Sequence, residues 1–189
     1  MQTEPTDRDL WAAVAAGEEG AFGVLFDRHS RAVYNHAFRL CGSWSVAEDI
    51  TQTTFLIAWR KRGTVDLTYG TALPWLLVVA GNCARTEGRS ARRVRALLGR
   101  VQPEHHPDPA DDVAGRLDDE RAMGRVLDAV RRLPRAEREA VALCLWSGIG
   151  YPEAAAALGV TEVAVRSRVS RARARLSKLL DPTRTEELR

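Results

Sequence analysis

From Thr161 to Leu180 the chain reads TEVAVRSRVSRARARLSKLL, and no acid follows Glu162 in that stretch. Wound at about 100° per residue, it gathers Val165, Val169, Ala172, Leu176, Leu179 and Leu180 into one stripe that has to face a core. Ser167, Ser170, Arg171, Ala174 and Lys178 stand opposite, with Arg166 and Arg173 on one flank and Arg168 and Arg175 on the other. Such a face is small or hydrogen-bonding in its middle and guanidinium at its margins. Laid in a groove of nucleic acid, its middle can approach base edges while its margins grip phosphate. Taken alone, the charge run also describes a solvated surface helix. The preceding residues favour the first reading. Ala155, Gly159 and Val165 fall at A-x3-G-x5-V spacing, where a small residue lets two helices touch, glycine ends the first and an apolar residue anchors the second. This is helix-turn-helix spacing, with Thr161 placed to cap the second helix and Glu162 set on the positive end of its dipole.

Composition narrows the partner. The formal net charge is only +3 over 189 residues, yet arginine is concentrated in two places, which points to a polyanion. No apolar run is long enough to span a bilayer, and the start, MQTEPTDRDL, lacks the basic-then-apolar order of a signal peptide. A cytoplasmic protein without membrane insertion is expected. Cys41, Cys83 and Cys144 are odd in number, widely spaced and set among apolar neighbours, so buried thiols are expected rather than disulfides.

Every element that can be placed is helical. Leu10, Trp11 and Val14 suggest a short helix, and Phe22, Leu25, Phe26, His29, Val33, Ala37 and Leu40 a long one from about Glu18 to Leu40. His29 and His36 have no third ligand at suitable spacing, so no metal and no cofactor is expected. Ser45-Val46-Ala47-Glu48 reads as a capping box that starts a helix at about Val46, running to Trp59 or Lys61. Residues Gly63 to Ala72 read as a loop, and Pro74 suits the first turn of a helix reaching about Arg95. That helix turns Leu73, Leu76, Leu77, Ala80, Cys83 and Ala84 inward. It carries Asn82, Arg85, Arg89 and Arg92 outward, with Trp75 and Arg93 at the edge. Trp75 could stack on an unpaired base beside the arginines, or fold back into the core. Gly99 to Arg116, with three prolines, His105-His106 and clustered aspartates, reads as a linker. Beyond it lie a stripe from Met123 to Leu133, a break at Pro134, a helix from Glu137 to Trp146 and a short helix from Pro152 to Leu158. The expected fold is all-α: two small helical domains, residues 1–98 and 118–189, joined by a flexible linker at 99–117.

Three stretches resemble a known family. AEDITQTTFLIAWR at Ala47 to Arg60, PWLLVVAGNCARTEGRSARR at Pro74 to Arg93, and the residues from Leu133 to Leu176 are together similar to the extracytoplasmic-function group of bacterial RNA polymerase sigma factors. The resemblance implies a region-2-like domain followed by a region-4-like one. It implies that the first helix docks on the clamp of the largest polymerase subunit, making Asp49, Gln52 and Phe55 contact candidates. The second domain would lie against the flap of the second-largest subunit. Asn82, Arg85 and Arg89, with Trp75, match positions near the minus-10 element, and the loop at Leu67 to Thr71 would help capture a flipped base. Arg166, Ser167, Ser170 and Arg171 match positions facing bases of the minus-35 element, with Arg168 and Arg173 near backbone. Promoter DNA, core polymerase and an anti-sigma factor are the implied partners. There is no nucleophile-base pair or phosphate loop arguing for an enzyme. The alternative is an autonomous dimeric helix-turn-helix regulator, which would bind an operator unaided.

Overall fold

Thr6 starts the first helix by a reciprocal cap: its hydroxyl accepts from the Asp9 amide at 3.3 Å, and its own amide donates to Asp9 Oδ2 at 3.1 Å. The computed structural model describes residues 4–67, 69–98, 124 and 127–180. The expected linker and the residues at Met123 and Val126 lie outside that range, as do Asp181 onward and the side chains of Arg92, Arg93 and Leu180. Helix α1 spans Asp7–Ala15, α2 Glu19–Cys41, α3 Trp44–Lys61 and α4 Leu73–Leu98. Gly42, at φ 75°, closes α2, its amide donating to the Phe38 carbonyl at 2.8 Å in a left-handed conformation that suits glycine.

The four helices pack around Val14, Leu25, Val33, Ile50, Leu76 and Leu77, all nearly or wholly buried. Each side chain of this kind contributes about 1.5–3 kcal/mol on burial. Helix α3 departs from expectation at its start. It begins at Trp44 with Ser43 as its cap, and no capping box forms at Ser45, whose hydroxyl faces that of Ser43 instead. Trp44 stacks on Phe38 at 3.8 Å between ring centres and on Tyr34 at 5.8 Å, so packing on α2 draws the helix start back past the local serine signal.

The second set of helices is α5 (Arg135–Ala140), α6 (Tyr151–Leu158) and α7 (Glu162–Leu180), preceded by a helical segment at 127–131. Beyond Ala140, α5 continues as one π-helical turn, Val141–Trp146. Val141, Ala142 and Leu143 are all buried. They cannot share one face, and they do not: Val141 packs with Val130, Leu133 and Ala172, whereas Leu143 joins the cluster containing the core of α1 to α4. Ala154, Ala155, Val165 and Val169 belong to that same cluster. The two helical sets therefore abut across a continuous apolar seam.

Polar contacts line the seam. His36 Nδ1 and Ser147 Oγ share a hydrogen bond of 2.7 Å, Arg39 donates to the Trp146 carbonyl, and Arg85 pairs with Glu139. Each histidine of α2 has a polar partner: His29 meets Asp7 and His36 meets Ser147. Cys83 is buried and Cys41 and Cys144 half-buried, none of the three in a disulfide, and burial pushes the Cys83 and Cys144 thiols above their ordinary range. No helix among the described residues is long and apolar enough to cross a membrane.

Burial, with the nearby Arg39 charge, lowers the pKa of His36 from 6.5 to about 4. Between those values the unfolded chain holds more protons than the native one, so stability falls as pH drops across that window and this group has no effect above it. The loss expected from His36 is up to about 3 kcal/mol. Thermal unfolding from pH 7 to pH 4.5 should show it, and His36→Gln should flatten the pH dependence; an unchanged slope would remove His36 as its source.

Candidate nucleic-acid and polymerase interfaces

Gly159, at φ 66°, ends α6 with its amide turned back onto Ala155 and Ala156, and Thr161 Oγ1 accepts from the Ala164 amide at 3.2 Å to open α7. The turn and cap expected from the sequence are thus in place. Val165, Val169 and Ala172 are buried and Leu176 is half-buried, as the stripe predicts. Leu179 departs from it: the end of α7 runs past the core that would cover this residue, which is 38% exposed.

The outer face of α7 divides in two. Arg166, Ser170 and Arg173 are exposed, whereas Ser167 and Arg168 are half-buried. Arg166 bonds Glu162 Oε1 at 2.7 Å and lies 5.2 Å from the centre of the Tyr151 ring. Arg171 is exposed too, but its Nε lies 3.3 Å from Glu137 Oε1 and its guanidinium also donates to Ser167. Arg175 Nε lies 3.1 Å from the other oxygen of Glu137. Glu137 is 4% exposed, so Arg171 and Arg175 neutralise a carboxylate that α5 carries into the core. Arg171 therefore has a part in holding α7 on α5 that the sequence did not disclose.

On α4, Asn82 and Arg89 are exposed and Arg85 is half-buried. Arg85 donates to Asn82 Oδ1 and pairs with Glu139 of α5, which Arg135 also reaches at 2.9 Å. Trp75 is half-buried, its ring meeting Trp11 edge-on at 5.7 Å between centres, so the ring is packed into the bundle and not free on the surface. The loop before α4 carries Tyr69, half exposed, and Leu67, which is buried.

On α3, Asp49 and Gln52 are exposed side by side. Phe55 is not with them: it is 4% exposed and meets Phe22 and Phe26 edge-on. Its ring is therefore part of the core and does not share the exposed surface of Asp49 and Gln52. Leu56, one turn beyond Gln52 on α3, is 49% exposed, and Phe26 of α2 is 41% exposed. Periodicity counted Phe26 into the inner stripe of its helix, and neither exposure was expected from the sequence.

Residues 25–94 match the Sigma-70 region 2 family and residues 123–176 the Sigma-70, region 4 family. The chain is 36% identical over 186 residues to the RNA polymerase sigma factor NccH of Alcaligenes xylosoxydans xylosoxydans, covering 94% of this chain and 97% of that one. Among solved structures it is similar to CnrH in complex with the cytosolic domain of CnrY, with 31% identity, a TM-score of 0.69 and coverage of 93% and 97%. It is also similar to the sigma factor RpoE in complex with the anti-sigma factor NepR from Bartonella quintana, with 30% identity, a TM-score of 0.60 and coverage of 85% and 97%. With both regions present in order on an all-helical fold, the chain belongs to the RNA polymerase sigma factors, in their extracytoplasmic-function group.

Proposed function

We propose that this sigma factor directs promoter recognition through three separate faces: Asp49, Gln52 and Leu56 on α3 toward core polymerase, α4 and the loop before it toward the minus-10 element, and α7 toward the minus-35 element. Residues 1–98 and 118–189 would form the two working domains, joined through 99–117. The observation that carries this reading is the occurrence, in one chain, of a region-2 helix and a region-4 helix whose exposed faces both bear arginine. As a sigma factor the chain binds polymerase and directs it to promoters; it is not an autonomous operator-binding regulator. Sigma factors are regulatory and not enzymes, and strand opening draws on binding: contacts to the captured strand offset unpairing, with a salt-dependent share from phosphate contacts. The work is done in the cytoplasm. Because CnrH is seen with the cytosolic domain of CnrY and RpoE with the anti-sigma factor NepR, a comparable anti-sigma factor is proposed here. Run-off transcription with purified core polymerase on a library of genomic fragments tests the whole reading. Failure to initiate on any fragment would end it.

Residue-level outcomes separate reading from packing. Arg166→Ala removes an exposed side chain whose bond to Glu162 is worth about 0.3–0.5 kcal/mol. It should leave thermal stability nearly unchanged while costing about 1–3 kcal/mol of promoter discrimination, measured as run-off on matched and mismatched minus-35 templates. Arg171→Ala should lower stability and transcription together, because Glu137 then keeps only Arg175.

For polymerase docking, Asp49→Ala and Leu56→Ser are expected to weaken binding to core by about tenfold each with the unfolding midpoint kept. Phe55→Ala should instead cost about 3–5 kcal/mol of stability. Competition for core polymerase and thermal unfolding distinguish the two patterns.

Arg85 cannot hold Glu139 and a phosphate with the same donors. Glu139→Ala is therefore expected to raise the affinity of the free chain for a mixed-sequence single-stranded oligonucleotide by a few-fold, and adding Arg85→Ala should abolish the gain. A gain that survives in the double variant would mean that the pair does not mask Arg85.

A further inference from the structure

The loop leading into α4 is tied down by a carboxylate from the far end of the domain. Asp7, in the first turn of α1, is 6% exposed. Its Oδ2 accepts from the Ala72 amide at 2.9 Å, the Thr71 hydroxyl at 3.0 Å and His29 Nε2 at 2.6 Å, while its Oδ1 accepts from Arg28 at 2.6 Å. Donors from two distant places in the chain, α2 and the loop before α4, thus converge on one side chain. Burial alone would raise the carboxyl pKa, but the Ala72 amide, Arg28 and His29 outweigh it and hold Asp7 below the usual carboxylate range. The charge is itself fixed, since Arg28 also donates to the Pro5 carbonyl at 3.0 Å.

The same helix holds the loop at a second point. Arg8 donates to the Leu67 carbonyl at 3.3 Å, and Leu67 is buried. Trp11, one turn on, meets Trp75 at the start of α4. Thr71 also accepts from the Leu73 amide at 3.3 Å, so the hydroxyl held by Asp7 helps to open α4. Between the two ties, Tyr69 is half exposed and Gly70 takes φ 72°. Backbone held at Leu67 and again at Thr71 and Ala72 leaves Tyr69 and Gly70 a narrow choice of direction.

We propose that Asp7 is a positioning residue for promoter opening: clamped by Arg28 and His29, it fixes Thr71 and Ala72 so that the loop bearing Tyr69 is presented beside the start of α4 before DNA arrives. The proposal rests on the reading above, in which that loop meets the minus-10 strand. A loop ordered in advance lowers the entropic cost of capturing an unpaired base, so losing the clamp should matter most when the duplex has still to be opened. A purely structural role would instead reduce all activities together.

Two full-length variants test this. Asp7→Asn keeps the side chain's size but removes its charge and half its acceptors. Thr71→Val removes one hydroxyl donor on the loop side and leaves the carboxylate in place, so it answers the question even if Asp7→Asn folds poorly. In Asp7→Asn, hydrogen exchange at the peptide containing Ala72 should quicken by about tenfold or more. Using promoter fragments on which wild-type holoenzyme initiates, both variants should lose about tenfold in run-off on duplex templates and no more than about threefold on the same templates premelted across the minus-10 element. Core affinity should stay at the wild-type level. Equal losses on both templates by Thr71→Val, or exchange at Ala72 unchanged in a folded Asp7→Asn, would overturn the proposal. Wild-type chain that initiates on no fragment would instead sink the promoter reading beneath it, an outcome the exchange measurement distinguishes.

Discussion

The three successive buried residues Val141, Ala142 and Leu143 constrain everything around them. An α-helix with one core-facing stripe leaves every third or fourth residue inside, and a run buried throughout must have partners on more than one side. Here α7 and the 127–131 segment supply one wall, through Ala172, Val130 and Leu133, and the bundle of α1 to α4 supplies the other. The π-helical turn sits where those demands meet. Removing either wall would expose apolar side chains of this segment, so its composition favours the association of the two helical sets.

Closure places functional side chains under a second obligation. Arg171 lies on the face suited to DNA, yet together with Arg175 it balances the charge of Glu137, which is buried. Arg85 lies on the outer face of α4, yet its guanidinium is shared between Asn82 and Glu139. The two cases differ in kind. Glu137 is deep and would be costly to strand, so Arg171 is bound to the integrity of its own domain. Glu139 is part-exposed and keeps Arg135 as an alternative partner, so Arg85 can leave it at little cost.

Much of this was legible because local rules and tertiary packing agree. The A-x3-G-x5-V spacing, the threonine cap and the buried residues Val165, Val169 and Ala172 all followed from periodicity and turn chemistry. Where packing overrode a local preference the reading slipped. Ser45 offered a capping box, but Trp44 stacking on Phe38 set the helix start; Phe55 matched a docking position, but two neighbouring phenylalanines hold it in the core. Leu179 kept the period of its stripe after the opposing surface had ended. Least legible were polar residues whose partners are distant in sequence. MQTEPTDRDL reads only as a polar start without the order of a signal peptide, and nothing within it announces that Asp7 meets His29, Thr71 and Ala72. Glu137 likewise looks like an ordinary first-turn acid until α7 is laid across it.

The balance between the closed form and a DNA-bound one then depends on which contacts of the seam have substitutes outside the protein. On the function proposed above, Arg85 would exchange a carboxylate for a phosphate, and the change in its charge environment would be small. The contacts of His36 with Ser147 and of Leu143 with the first bundle have no such replacement on nucleic acid, and neutral hydrogen bonds and apolar area respond weakly to salt. Salt should therefore weaken the grip on DNA far more than it loosens the seam. A partner that separated the two helical sets would have to replace that apolar area as well as the charges.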